Sequence, residues 1–244
     1  MKNSAPVKRV TLLLDGKEQP AFDIELAYAE PDWWAFFDAT PYRGKTIIVR
    51  VNKLVDWDNM SWGHAVSKDL VHWQELLVAL YPDEHGTMFS GSAVVDWNST
   101  AGFQTGKEPA LVAMFTAARN PFTQDLAYSN DRGRTWTKYE KNPVLGHIAA
   151  ENRDPKVVWF APEKKWVMSL YLDHNDYAIF ESHDLKQWTK LQDFTLPDDS
   201  ECPNFFEMPL AGDTHNTRWV FFGANGVYVV GKFDGQKFTP ETRP

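Results

Sequence analysis

The chain holds one cysteine, Cys202, which excludes an intramolecular disulfide and a cysteine-built zinc site. It has no apolar run near the roughly eighteen residues that a membrane-spanning helix needs. Met1 to Val10 lacks the apolar stretch of a secretory leader, and Val10 to Leu14 is only a short apolar patch. The expectation is therefore a soluble chain without a signal peptide, its localisation left open. Cationic charge is also scarce. Lys plus Arg is 25 against 33 Asp plus Glu, a formal net charge of −8, so neither nucleic-acid phosphates nor an anionic membrane is the expected partner. Helical periodicity is missing too, since nothing keeps a 3.6-residue apolar spacing for three turns. What remains is 244 residues, 43% hydrophobic and 24% charged, enough for a sizeable core and too apolar for disorder along the whole length.

Aromatic residues are plentiful: 11 Trp, 16 Phe and 8 Tyr. Many lie in short apolar runs bounded by Gly, Pro, Asn or Asp, such as Trp33–Phe37, Val157–Phe160, Trp166–Tyr171 and Trp219–Phe222. These read as strands. The fold class expected is all-β, with turns frequent enough for a sandwich, barrel or propeller.

An internal repeat decides between these. Ser-x-Asp followed by Trp occurs as Ser67-Lys68-Asp69 with Trp73, Ser129-Asn130-Asp131 with Trp136, and Ser182-His183-Asp184 with Trp188. A degenerate fourth copy runs from Phe233 to Phe238, with Phe in place of Trp. The aspartates are 62, 53 and 50 residues apart, a period that points to propeller blades. Ser and Asp side chains are expected to accept turn N–H groups, and the Trp to open the outer strand and pack between sheets.

Each copy is followed at a similar distance by a segment that should line the channel: Phe89-Ser90-Gly91-Ser92, then Arg153-Asp154-Pro155, then Glu201-Cys202-Pro203. Inner-strand ends of successive blades converge, so an Asp, a Glu and an Arg should meet in a pocket rimmed by aromatics, which suits carbohydrate chemistry. Taken singly, an Arg-Asp pair is usually a surface ion pair worth under about 1 kcal/mol. His64 reads as a structural histidine bonded to backbone. Asp173-His174-Asn175-Asp176 reads as a polar hairpin turn, with no metal site expected.

The run Trp57 to Trp73, with Trp62-Gly63-His64-Ala65 at its centre, resembles the first-blade signature of glycoside hydrolase family 32, the invertases, levanases and inulinases. The Phe89, Arg153 and Glu201 segments resemble the family's second-, third- and fourth-blade motifs, in the right order. The resemblance implies an incomplete five-bladed β-propeller over residues 54–244, preceded by a small β-sandwich-like segment over residues 1–53. It implies retaining cleavage of β-fructosidic bonds in fructans or sucrose, with no cofactor. Glu201 would be the acid/base, which requires a raised pKa. Asp154 would stabilise the oxocarbenium-like transition state, and Arg153 would hold both carboxylates as a charged fork. Trp57, Phe89 and Ser90 would line the fructose pocket. Cys202 is expected to tune the acid and not to act as a nucleophile.

Three departures accompany this resemblance. The family's nucleophile is the Asp of an Asn-Asp-Pro-Asn-Gly-type motif, which the sequence lacks; Lys53-Leu54-Val55-Asp56 precede Trp57, and Asp58 stands where Gly is usual. The N-terminal segment joins blade one abruptly. Pro244 follows blade four, so a fifth blade is absent and open sheet edges make self-association an expectation. The alternatives are a catalytically silent fructan-binding remnant and a Trp-rich propeller used for protein contacts.

Overall fold

The computed structural model of the chain describes residues 7–15, 17–18, 22–25, 40–53 and 60–242. Among these the only helical pieces are 3-10 turns at Thr40–Tyr42 and Ala161–Glu163; the rest of the regular structure is strand. Among the described residues no helix is long and apolar enough to cross a membrane. The chain divides into two compact units, residues 1–81 and 82–244.

The first unit is centred on β1 (Val7–Leu14), which pairs on one side with β2 (Lys17–Glu18) and β3 (Phe22–Glu25) and on the other with β4 (Ile47–Lys53), all antiparallel. Val10, Leu12 and Leu13 are buried, whereas Ile48, Val49 and Val51 of β4 are exposed. The described residues thus form one sheet; Trp33–Phe37, expected as a further strand, lies outside them. The first repeat copy is a hairpin of β5 (Ala65–Ser67) and β6 (Trp73–Glu75). A bridge between Trp62 and Leu80 closes it. The boundary between the two units falls between Tyr81 and Pro82, so this hairpin belongs to the first; residue 54, the expected start of the propeller segment, lies outside the described residues. His64 Nδ1 lies 3.2 Å from the Leu77 carbonyl, a backbone bond as expected.

The second unit consists of three four-stranded antiparallel sheets, each a meander in which sequence neighbours pair. The first holds β7 (Thr87–Asp96), β8 (Ala110–Ala118), β9 (Thr123–Ser129) and β10 (Thr137–Lys138). The second holds β11 (Arg153–Phe160), β12 (Lys165–Asp173), β13 (Asp176–Ser182) and β14 (Thr189–Thr195). The third holds β15 (Asn204–Leu210), β16 (Asp213–Phe222), β17 (Tyr228–Phe233) and β18 (Phe238–Pro240). The leading strand β11 packs against both β7 and β15, which gives three blades of the incomplete propeller.

The middle sheet explains its own sequence. Every residue of β12 from Lys165 to Leu172 is buried. Trp166, Met168, Leu170 and Leu172 join a core shared with the first sheet, including Val112, Met114 and Leu126. Val167 and Tyr171 point the other way, into a core shared with Phe205, Trp219, Phe221 and Phe238 of the third sheet. A strand covered on both faces reads as an unbroken apolar run, because period-2 alternation sends each neighbour to a different core. The outer face of the third sheet has no such cover among the described residues: Phe206, Met208, Val220, Phe222, Tyr228 and Val230 line a shallow groove of ≈ 370 Å³.

The repeat is a turn that binds itself. Ser67, Ser129 and Ser182 accept N–H groups of their own turns through Oγ. Asp69, Asp131, Asp184 and Asp234 accept the next ones through Oδ1. The residue three before the aromatic has positive φ in all four copies: Leu70 at 62°, Gly133 at 80°, Leu185 at 62° and Gly235 at 95°. Its carbonyl accepts the indole N–H in three: Trp73 at 3.2 Å, Trp136 at 3.0 Å and Trp188 at 3.0 Å. Phe238 has no such donor. The expectation that the Trp packs between sheets holds for Trp188, which lies against the first shared core. Trp73 departs from it at 58% exposure.

Candidate active site

Asp154 sits in a break of the β11 ladder. Arg153 pairs with Tyr171 and Lys156 with Ser169, so Asp154 and Pro155 oppose one residue, a bulge. Pro155 has no N–H to lose there, and Asp154 adopts φ 65°. A left-handed non-glycine residue costs on the order of 1–3 kcal/mol and persists only where its surroundings over-determine it.

The first sheet supplies those surroundings. Asp154 donates its backbone N–H to Thr116 Oγ1 at 3.0 Å, and the Thr116 hydroxyl donates onward to Gln124 Oε1 at 2.8 Å. Gln124 Nε2 donates to the Asn152 carbonyl at 3.0 Å. Ser92 Oγ of β7 donates to the Pro155 carbonyl at 2.9 Å and accepts the Val157 N–H at 3.0 Å, holding the backbone on both sides of Lys156. Thr116 and Gln124 are buried and were missed by the sequence reading. For Thr116 the signal was a lone polar residue in the otherwise apolar β8; Gln124, between Thr123 and Asp125, carried none.

The Asp154 carboxyl is buried, and Oδ2 accepts the Cys202 backbone N–H at 3.0 Å, with Cys202 Sγ at 3.6 Å. Burial pushes its pKa above the usual carboxylate value against the opposing pull of that N–H and the Arg153 charge. Burial and the neighbouring Asp154 carboxylate push the Cys202 thiol up to about 11, consistent with a thiol that is not a nucleophile. Glu201 and Cys202 are also left-handed, at φ 55° and 41°.

Arg153 reaches Glu201 but not in the expected fork. Nη2 donates to Glu201 Oε1 at 2.6 Å, while Nη1 donates to the Glu151 carbonyl at 2.7 Å. The guanidinium lies over the Tyr171 ring, 4.7 Å from its centroid. Asp154 is instead gripped by Cys202, because the bulge turns its carboxylate toward the Glu201 turn. Burial alone would lower the Arg153 pKa; the Glu201 hydrogen bond and charge outweigh it and raise it.

One oxygen each of Asp154 and Glu201 and the Cys202 sulfur all lie within 4.8 Å of one another. These are also the atoms that could face a cation, though each carboxylate already accepts a protein donor. Among the described residues no third carboxylate joins the group. Phe89 and Ser90 occupy a second bulge, in β7 between Met88 and Gly91. Phe89 meets Phe122 edge-on at 5.5 Å and 82°, and Ser90 is exposed. Trp57 lies outside the described residues. A buried carboxyl beside a half-exposed one, held by an arginine, is an arrangement able to divide proton transfer and charge stabilisation between two acids.

The family model "Glycosyl hydrolases family 32 N-terminal domain" matches residues 50–244. A levanase of Bacillus subtilis is 50% identical over 207 residues, covering 78% of this chain and 30% of that protein. An invertase of Debaryomyces hansenii is 37% identical over 226 residues, covering 84% of this chain and 40% of its own length. Among solved structures, fructofuranosidase from Schwanniomyces occidentalis complexed with fructose aligns with a TM-score of 0.69 at 36% identity, over 80% of this chain and 42% of that one. Exo-inulinase from Aspergillus awamori aligns with a TM-score of 0.67 at 33% identity, over 81% and 47%. The chain spans less than half the length of each.

Proposed function

Because the chain belongs to glycosyl hydrolase family 32, we propose that its site takes the fructosyl unit of a fructan or of sucrose and serves cleavage of the β-fructosidic bond. Glu201 protonates the leaving oxygen and then takes a proton from the attacking water. Asp154 accepts hydrogen bonds from fructosyl hydroxyls as positive charge develops at the anomeric carbon. Phe89 and Ser90 form part of the pocket wall, and Trp57 is assigned to it by its motif. The observation that carries this reading is the convergence of Asp154, Glu201 and Cys202 within 4.8 Å, with Arg153 bonded to the acid.

Retention requires a second carboxylate about 5–5.5 Å from the acid, to form and release the glycosyl intermediate. The sequence has no Asn-Asp-Pro-Asn-Gly motif to supply it. That favours a second reading, a fructan-binding chain without turnover. Incubating the purified chain with sucrose, levan and inulin and measuring released fructose separates the two. Turnover that Glu201→Gln abolishes supports the hydrolase. No turnover, with fructan binding lost in Asp154→Asn, supports the binding protein; neither binding nor hydrolysis rejects both.

A further inference from the structure

The turn that carries Glu201 is held from below by a carboxylate outside every motif named above. Asp199 is fully buried. Its Oδ1 accepts the N–H groups of Ser200 at 2.7 Å and Asn225 at 3.0 Å, and its Oδ2 accepts that of Val227 at 2.8 Å. Two of these donors belong to the connection between β16 and β17, so one side chain ties the acid-bearing turn to the neighbouring hairpin. Ala224 donates its N–H to the Ser200 carbonyl at 3.0 Å, which doubles the tie. From the middle sheet, Asn175 Nδ2 donates to the Asp199 carbonyl at 2.7 Å, and the Tyr177 hydroxyl donates to the Glu201 carbonyl at 3.4 Å. The turn Asp173–Asp176 thereby has a role: its Asn braces the loop.

Space is as restricted as the hydrogen bonding. A Cβ on Gly223 would fall 2.3 Å from Asp199 Oδ1 and 2.6 Å from the Tyr177 hydroxyl. Only glycine lets the carboxylate approach this backbone. The supported segment is strained, with Asp198 at φ 64°, Glu201 at 55° and Cys202 at 41°, a conformation that needs outside support.

We propose that Asp199 is the positioning residue of this site: by tying the Asp198–Cys202 turn to Gly223–Val227 it sets Glu201 beside Arg153 and delivers the Cys202 N–H to Asp154. The assignment rests on the reading of Glu201 as the acid, but its test does not need turnover. Cys202 is the single thiol of the chain and touches Asp154, so its alkylation rate reports where the turn sits. At pH 8, Asp199→Asn should raise the iodoacetamide rate about tenfold by moving the thiol away from the carboxylate. Asp154→Asn should raise it as well, and Asp199→Asn in that background should add little, since both act on one contact. Gly223→Ala should reproduce the Asp199→Asn rate without altering a charge. Asp96→Asn, which removes an equally buried loop-holding carboxylate of the first sheet, should leave the rate unchanged.

A folded Asp199→Asn chain with an unchanged rate, or with an effect that adds in full to that of Asp154→Asn, overturns the proposal. Should both Asp199→Asn and Gly223→Ala fail to fold, amide exchange in the unsubstituted chain decides. Slow exchange at Ser200, Asn225 and Val227 is expected, and fast exchange at these amides overturns it. The thiol cycle found as expected in a chain without hydrolysis leaves the positioning intact and removes only the acid/base reading.

Discussion

Cys202 donates its backbone N–H to Asp154 Oδ2 at 3.0 Å across 48 residues of sequence. The bond joins two left-handed residues, Asp154 in β11 and Cys202 in the turn before β15. Asp154 is turned out of its ladder by a bulge, and Cys202 is turned inward by the Asp198–Cys202 turn. The contact is therefore a direct reporter on whether both halves of the site are assembled.

The Thr116 hydroxyl is the sole acceptor described for the Asp154 N–H and also a donor to Gln124. Thr116→Val keeps the shape and leaves both partners buried and unpaired, which costs about 1–3 kcal/mol. Urea unfolding should show that loss, whereas Thr116→Ser should stay close to the parent chain.

Arg153 uses its two Nη groups on different partners and stacks on Tyr171. A lysine cannot do all three. Arg153→Lys should weaken binding of a fructan at least tenfold by calorimetry, a change of about 1.4 kcal/mol, with a smaller effect on thermal unfolding.

Asp131 carries a pH dependence. Burial works to raise its pKa, but the Thr135 hydroxyl and N–H and the Ser129 hydroxyl outweigh it and hold the group at about 2, from an ordinary 3.8. A lowered carboxylate stabilises the fold above its unfolded value, and that stability is lost as pH falls through the folded value. Its contribution should be complete above pH 4 and fade between about 4 and about 2. Urea midpoints of the parent and Asp131→Asn should differ at pH 5 and draw together by pH 2.

Phe221 is fully buried in the core between the second and third sheets, with ring centroids of Phe194 at 4.6 Å and Tyr177 at 5.2 Å. Phe221→Ala should cost about 3–5 kcal/mol. Phe206→Ala, on the uncovered face of the same sheet, should cost much less in the same denaturation series.

The parts legible from sequence are those whose chemistry is local. The Ser and Asp of each repeat bond to N–H groups within four residues, so the phrase itself encodes the turn, and its recurrence encodes the sheets. Asp154 and Glu201 could be placed together because the repeat assigns both to leading-strand ends. Gln124 and Asp199 could not, and Thr116 stood out only as a polar residue in an apolar strand, since the contacts that tie each of them to the site reach 26 to 38 residues away. The direction of Arg153 was equally hidden: a fork onto both acids fits the sequence, but the bulge at Asp154 decides where that carboxylate turns.

Each sheet of the second unit is a meander, so strands pair with the strand just made. This has a consequence for how the chain comes off the ribosome. The ladder of β11 to β14 needs nothing beyond Thr195, and can close while later codons are still being read. The bonds that hold the Glu201 turn form later, because Cys202 follows the strand that carries Asp154, and Asn225 and Val227 follow Asp199. Assembly order therefore closes β11 to β14 before the Glu201 turn can be braced, and a polypeptide interrupted between Thr195 and Asn225 would carry a finished sheet beside an unsupported turn.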